Sequence, residues 1–140
     1  MLYKKSCYIL IIILCFCTIL FTGCDKDKSF ILFTSGEITP ENFSMDRCKK
    51  AFKIGERIDF LLYNPKPLKH NVIRLQVLKV NFVEPSFNYS IAYGRDINID
   101  ISLNYATDHF YLYDRGYYML RIYSPEDYDM PVAESGFTVE

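Results

Sequence analysis

The chain of 140 residues has no tryptophan, only six glycines, and two histidines, His70 and His109. Each scarcity excludes something. Two lone histidines and no Cys-x-x-Cys pair leave none of the usual zinc spacings. There is no Gly-x-Ser-x-Gly elbow and no Gly-rich phosphate loop, so the common hydrolase and nucleotide signatures are missing. A net charge of −1 denies the chain the basic footprint of a nucleic-acid binder. No internal repeat or low-complexity tract argues for a solenoid or a disordered tail. Two arrangements remain for chemistry. Cys48 and His109 would have to be brought together by the fold. Glu126, Asp127 and Asp129 lack the glycine and the number of oxygen ligands that a calcium loop requires. The expectation is no catalytic residue, no metal and no cofactor, with a thiol-dependent enzyme using Cys48 as an alternative.

Long apolar runs are also scarce, with one exception. After "MLYKK", Cys7–Phe21 is apolar but for Thr18. Basic start, short apolar core and small-residue exit are the parts of a secretory signal peptide. As a helix the run spans about 22 Å at ~1.5 Å per residue, short of the ~30 Å hydrocarbon core. Cleavage is therefore expected rather than retention as a membrane span.

The exit, "FTGC" at 21–24, resembles the lipobox of bacterial lipoproteins, in which a cysteine follows two small residues. Phe21 stands where that family most often has leucine. The resemblance implies cleavage between Gly23 and Cys24, a diacylglyceryl group on the Cys24 sulfur, and a further acyl chain, such as palmitate, on its new amino terminus. Two or three such chains anchor stably where one does not. Asp25, next to Cys24, resembles an inner-membrane retention signal of some bacteria with two membranes. The expected location is thus a bacterial envelope membrane, outer or inner, with the domain facing the periplasm or the surface.

On that reading residues 1–23 leave, residues 24–29 are the lipidated cysteine and a short tether, and residues 30–140 are one domain. Loss of Lys4 and Lys5 reduces the 16 basic residues to 14, against 17 acidic ones. Cys7, Cys15 and Cys17 depart with the leader and Cys24 is modified, so Cys48 stands alone and no internal disulfide forms. Cys48 reads as a small buried hydrophobe near the start of a strand, with a reactive or intermolecular thiol as the alternative.

The remainder alternates with period two, the mark of strands. "ERIDFLLYN" places Ile58, Phe60 and Leu62 on one face and Arg57, Asp59 and Tyr63 on the other. "YYMLRIY" opposes Tyr118, Leu120 and Ile122 to Tyr117, Met119, Arg121 and Tyr123. "INIDISL" is the most regular case, with Ile97, Ile99, Ile101 and Leu103 in phase. In "NVIRLQVLKVNF" the apolar phase slips at Val77–Leu78, which predicts a β-bulge. "SFILFTS", "AFKIG", "YSIAYG" and "SGFTVE" are shorter candidates. A helical turn is expected at "TPENFSMDRCKK", capped by Thr39. About seven short strands separated by turns predict an all-β sandwich.

"DRGYYML" at 114–120 resembles the immunoglobulin-fold pattern Asp-x-Gly-x-Tyr-x-Cys, matched by Asp114, Gly116 and Tyr118, with Leu120 in place of the cysteine. The resemblance implies an Ig-like sandwich without the inter-sheet disulfide. It also implies a tyrosine corner in which the Tyr118 hydroxyl bonds to backbone upstream.

The chain holds 12 tyrosines and 11 phenylalanines, more than one buried face can absorb. Tyr89, Tyr93, Tyr111, Tyr113 and Tyr117 are candidates for an exposed binding surface, with cross-strand aromatic pairing as the alternative. The expected function is a lipid-anchored, non-catalytic binding or structural module that contacts a protein or glycan. A small Ig-like protease inhibitor is the alternative, with the loops "NPKPLKHN", "NYATDHF" and "SPEDYDMP" as plugs. The residues do not indicate an oligomeric state.

Overall fold

A computed structural model describes residues 27–83 and 86–140. The leader, Gly23, Cys24 and Asp25 lie outside the described residues. Eight strands follow in order: β1 (Phe30–Thr34), β2 (Ala51–Phe52), β3 (Arg57–Tyr63), β4 (Val72–Val83), β5 (Ser86–Asn98), β6 (Tyr105–Tyr111), β7 (Gly116–Tyr123) and β8 (Ala133–Val139). They form two sheets, β1-β3-β6 and β2-β8-β7-β4-β5. All neighbours are antiparallel except β2 and β8, which run parallel. The fold is an all-β sandwich. Its order is Ig-like: β1, β3 and β6 take the places of strands A, B and E, and β8, β7, β4 and β5 those of G, F, C and C′. β1 and β2 are one entering strand that switches from the first sheet to the second.

Alternation decides which side chains fill the space between the sheets. Ile58, Phe60 and Leu62 meet Ile73, Leu75 and Val77, and Leu120 and Ile122 close the layer; all are almost wholly buried. Phe137 is the hub, with ring centroids 4.9 Å from Phe33, 5.7 Å from Tyr118 and 5.8 Å from Phe110. Each large apolar side chain so buried contributes roughly 1.5–3 kcal/mol before entropy is counted. Tyr118 belongs to this core, and its hydroxyl donates to the Asp114 carbonyl oxygen at 2.7 Å. That bond satisfies a phenol that burial would otherwise strand, and it pins the corner where the chain crosses from β6 to β7. Gly116, with φ of +156°, makes the turn; a Cβ there would meet the Lys79 side chain at 2.9 Å.

Several local expectations need correction. "INIDISL" is not a strand. β5 ends at Asn98, and the Asp100 carboxylate accepts from the Ser102 backbone N–H at 2.9 Å and its hydroxyl at 2.6 Å, turning the chain. A short polar side chain that bonds its own backbone two residues on beats a perfect alternation. "NYATDHF" is not a loop but most of β6, so only two of the three loops considered as inhibitor plugs are loops. Asp108 at an inward position hid its pattern. "AFKIG" shrinks to the two residues of β2, and Cys48 lies before it, making a single bridge to Thr34. The helical turn is a 3-10 turn at Met45–Arg47, and Thr39 instead accepts from Asn42 to close a separate turn at Pro40. The slip at Val77–Leu78 is present, and its extra residue, Ala92, sits on β5.

Candidate binding surfaces

The five tyrosines do not share one face. Tyr93 turns inward and stacks on Phe110, centroids 6.0 Å apart. Tyr89 and Tyr117 lie on the outer face of the five-stranded sheet. Tyr111 lies on the outer face of the other sheet, edge-on to His109. Tyr113 is 72% exposed in the β6–β7 connection, beside Gly55. What sequence treated as one surface is three places and a core contact.

The residues it had held for chemistry are also apart. Cys48 is half-buried, and burial pushes its thiol pKa up, against a weaker opposing pull from Arg47. A raised pKa means less thiolate, the opposite of an activated nucleophile. Asp108 pairs with Arg95, which reaches across from β5 and also donates to the His109 carbonyl at 3.2 Å. This joins the two sheets at their open side. His70 Nε2 lies 2.8 Å from Glu126 Oε1, an ion-pair distance without hydrogen-bond alignment. In the acidic loop, Asp127 Oδ1 accepts from the N–H groups of Asp129 and Met130 at 2.9 and 3.1 Å, so it shapes the turn. Among the described residues no three metal-ligating side chains come together.

A different site emerges on the outer face of the three-stranded sheet. Outward-facing Phe30 and Leu32 of β1, Leu61 and Tyr63 of β3, and Tyr105 of β6 form a floor; the cross-strand pairs Phe30↔Tyr63, Leu32↔Leu61 and Tyr63↔Tyr105 set it. Pro40, Phe43 and Met45 form a wall. Together with Asn104 they enclose an apolar groove of about 590 Å³, a size in the range that small ligands or side-chain clusters fill.

The wall stands because residues 35–47 form a compact loop whose ends meet. Thr34 bridges Cys48, and the Lys49 N–H donates to the Phe33 carbonyl at 3.0 Å. Asp59 holds the loop from beneath. Though only 3% exposed, its carboxylate accepts from the Gly36 N–H at 3.0 Å and from Arg57 Nη2 at 2.8 Å and Nε at 2.9 Å. The Gly36 φ of +113° is a conformation that side chains rarely adopt. The buried Thr34 hydroxyl donates to the Gly36 carbonyl at 2.7 Å, and Arg47 ties Glu37 and Asn42 carbonyls to the loop's far end. The anchored loop leaves Met45 and Phe43 exposed along the groove's rim.

The groove went unread in sequence, although a signal was there. "FILF" and "FLLY" are continuous apolar runs on paired strands, and a strand apolar on both sides is one covered on both sides.

A second apolar area lies on the outer face of the five-stranded sheet. Leu78 and Val80 are buried there beneath Tyr117 and Tyr89. Tyr117 lies across Gly136, where a Cβ would meet its hydroxyl at 1.9 Å. Arg121 sits over the Tyr89 ring, 5.4 Å from its centre. Ile91 beside them is 65% exposed.

No family model matches the sequence, and no curated protein matches it. Among solved structures it is similar to the crystal structure of the PmoD soluble domain from Methylocystis sp. ATCC 49242 (Rockwell), at 10% identity and a TM-score of 0.49, over 80% of this chain and 90% of that one.

Proposed function

We propose that the chain is an exported bacterial lipoprotein, held to an envelope membrane by acyl chains on Cys24, and that its sandwich is a non-catalytic binding module. The observation that carries the second half is the groove over β1, β3 and β6. Its lining is mostly aliphatic and aromatic, with the Asn104 amide and the Tyr63 and Tyr105 hydroxyls as its polar side-chain groups. That chemistry suits an apolar protein segment better than a glycan, which needs many hydrogen-bond partners. The "FTGC" seam supports the anchor. The tether also enters beside the groove: Ser29 Oγ donates to Asn64 Oδ1 at 2.6 Å, and Phe30 is part of the groove floor.

Two measurements test this reading. Intact-mass analysis of the protein from native membranes should find an acylated Cys24 at the amino terminus; a free thiol there, or an attached leader, rejects the anchor. A photo-crosslinking residue at Met45 in the full chain should capture a discrete partner through an apolar peptide on irradiation of intact cells. Capture no greater than from the same residue at Lys66 rejects the groove as the binding site.

A further inference from the structure

We propose that β5 is a dimerisation edge, through which two copies of the chain join their five-stranded sheets by antiparallel pairing of β5 with β5. β5 is the outermost strand of its sheet, with β4 on one side and no strand among the described residues on the other. It runs for 13 residues, where strands of ~5–6 are typical. An edge of that length offers a row of N–H and C=O groups whose complement is another strand.

Proteins normally blunt such edges with lysine, proline, an inward charge or a bulge. Ser86–Gly94 contains no charged residue and no proline. The bulge at Ala92 twists only its inner end. Outward of it the pairing with β4 is regular from Leu78↔Ile91 to Val83↔Ser86. Tyr89 and Ile91, both exposed, stand on this straight part.

The charge pattern points to a second copy rather than a foreign strand. Partner selection at an interface comes largely from complementary charge, and this stretch has none to offer. Paired with itself about a two-fold axis, it places no like charges opposite each other, and each copy supplies the same edge. The outer-face area of Leu78, Val80 and Tyr117 then continues across the axis, with Tyr89 and Ile91 of both copies covered at the seam. Specific interfaces begin near ~1,200 Å² in total. A strand edge with two apolar side chains from each copy is at the lower end, so the dimer is expected to be of about micromolar affinity.

Disulfide trapping in the full chain in its native membranes tests the pairing independently of how the chain is anchored. Asn88→Cys, Tyr89→Cys, Ser90→Cys and Ile91→Cys are each made in a Cys48→Ser background and treated with a mild oxidant. Cα atoms facing each other across an antiparallel pair lie about 4.5–5.5 Å apart, within disulfide reach, and only residues at the axis meet their own copy. A covalent homodimer should therefore peak at one position and fall about tenfold two residues away, where the separation grows beyond disulfide reach. Lys66→Cys, exposed in the β3–β4 connection, measures collision. Adding Ile91→Lys to the peak variant, or Tyr89→Lys where the peak is at residue 91, should abolish trapping while leaving the melting temperature unchanged. Yields no higher than those of Lys66→Cys at all four positions overturn the proposal, as does a covalent product with a different protein.

Discussion

The two outer faces of the sandwich begin from the same kind of sequence and end differently. On the three-stranded sheet, Leu61 points away from the core yet is 6% exposed, because residues 35–47 arch over it. On the five-stranded sheet, Ile91 also points away from the core, and nothing among the described residues covers it, leaving it 65% exposed. Alternation assigns both to an outer face. What separates them is a loop outside both strands in sequence, tied down by Asp59, Thr34 and Arg47. The lesson is that an apolar residue on the outward phase of a strand marks a surface needing a cover. The cover is either the chain's own or another molecule's.

The strongest way to break this contrast is to truncate both side chains. Leu61→Ala should cost roughly 2–3 kcal/mol, the low end for a buried leucine because one side faces the groove. Ile91→Ala should stay within about 0.5 kcal/mol. Urea unfolding of the two variants reads the difference directly; equal losses would mean that the loop does not shield Leu61.

A smaller effect sharpens the comparison by loosening the cover itself. Asp59→Asn keeps the shape but removes the charge that meets Arg57 and the Gly36 N–H. Because Arg57 is itself partly exposed, the expected cost is about 1–2 kcal/mol. Hydrogen exchange should quicken at Gly36 and Lys49 and stay unchanged at Tyr89 and Ile91. Uniform acceleration would show that the loop is not a separate unit.

The smallest effect is acid. Glu56, near the loop's return, is held below the ordinary carboxylate range by its hydrogen bond to Lys49 and then by the Lys53 N–H. Asp96, on β5, is held below it by Arg74. Carboxylates with depressed folded-state pKa values stabilise fully above the ordinary range and lose that contribution as the pH falls through the depressed values. The melting temperature should therefore be flat around neutrality and decline only at and below the ordinary carboxylate range. Glu56→Gln should remove part of that decline near the loop and Asp96→Asn part of it on the β4–β5 arm. A decline beginning near neutral pH would require another group.

Much of the sandwich is legible in the sequence, and the reasons differ by element. β7 has one apolar and one mixed phase, so its alternation maps directly onto burial, and in β3 the inward phase of Ile58, Phe60 and Leu62 does the same, although outward Asp59 and Leu61 are buried too. The corner sequence "DRGYYML" carries its own geometry in Gly116 and Tyr118. The failures come where a side-chain contact overrides the alternation, local at Asp100 and distant in sequence at Asp108. Asp100 turns the chain out of a regular pattern. Asp108 occupies an inward position because Arg95 from the facing sheet reaches it, which masks β6. Tyr93 is drawn inward by the Ala92 bulge that resets the phase of β5. The groove escaped because its wall, Pro40 to Met45, lies in a stretch with neither helical nor strand periodicity. Only the double-sided apolar runs on β1 and β3 hinted that something must lie above them.

The sheet switch between β1 and β2 has a mechanical consequence. A pull transmitted through residues 27–29 loads β1 along its length, so its five paired positions against β3 share the force rather than opening one after another. Behind them, the β2 register with β8 clamps the same stretch of chain to the opposite layer. The entry point thus behaves as a strain relief, keeping a pull on residues 27–29 from reaching the interior.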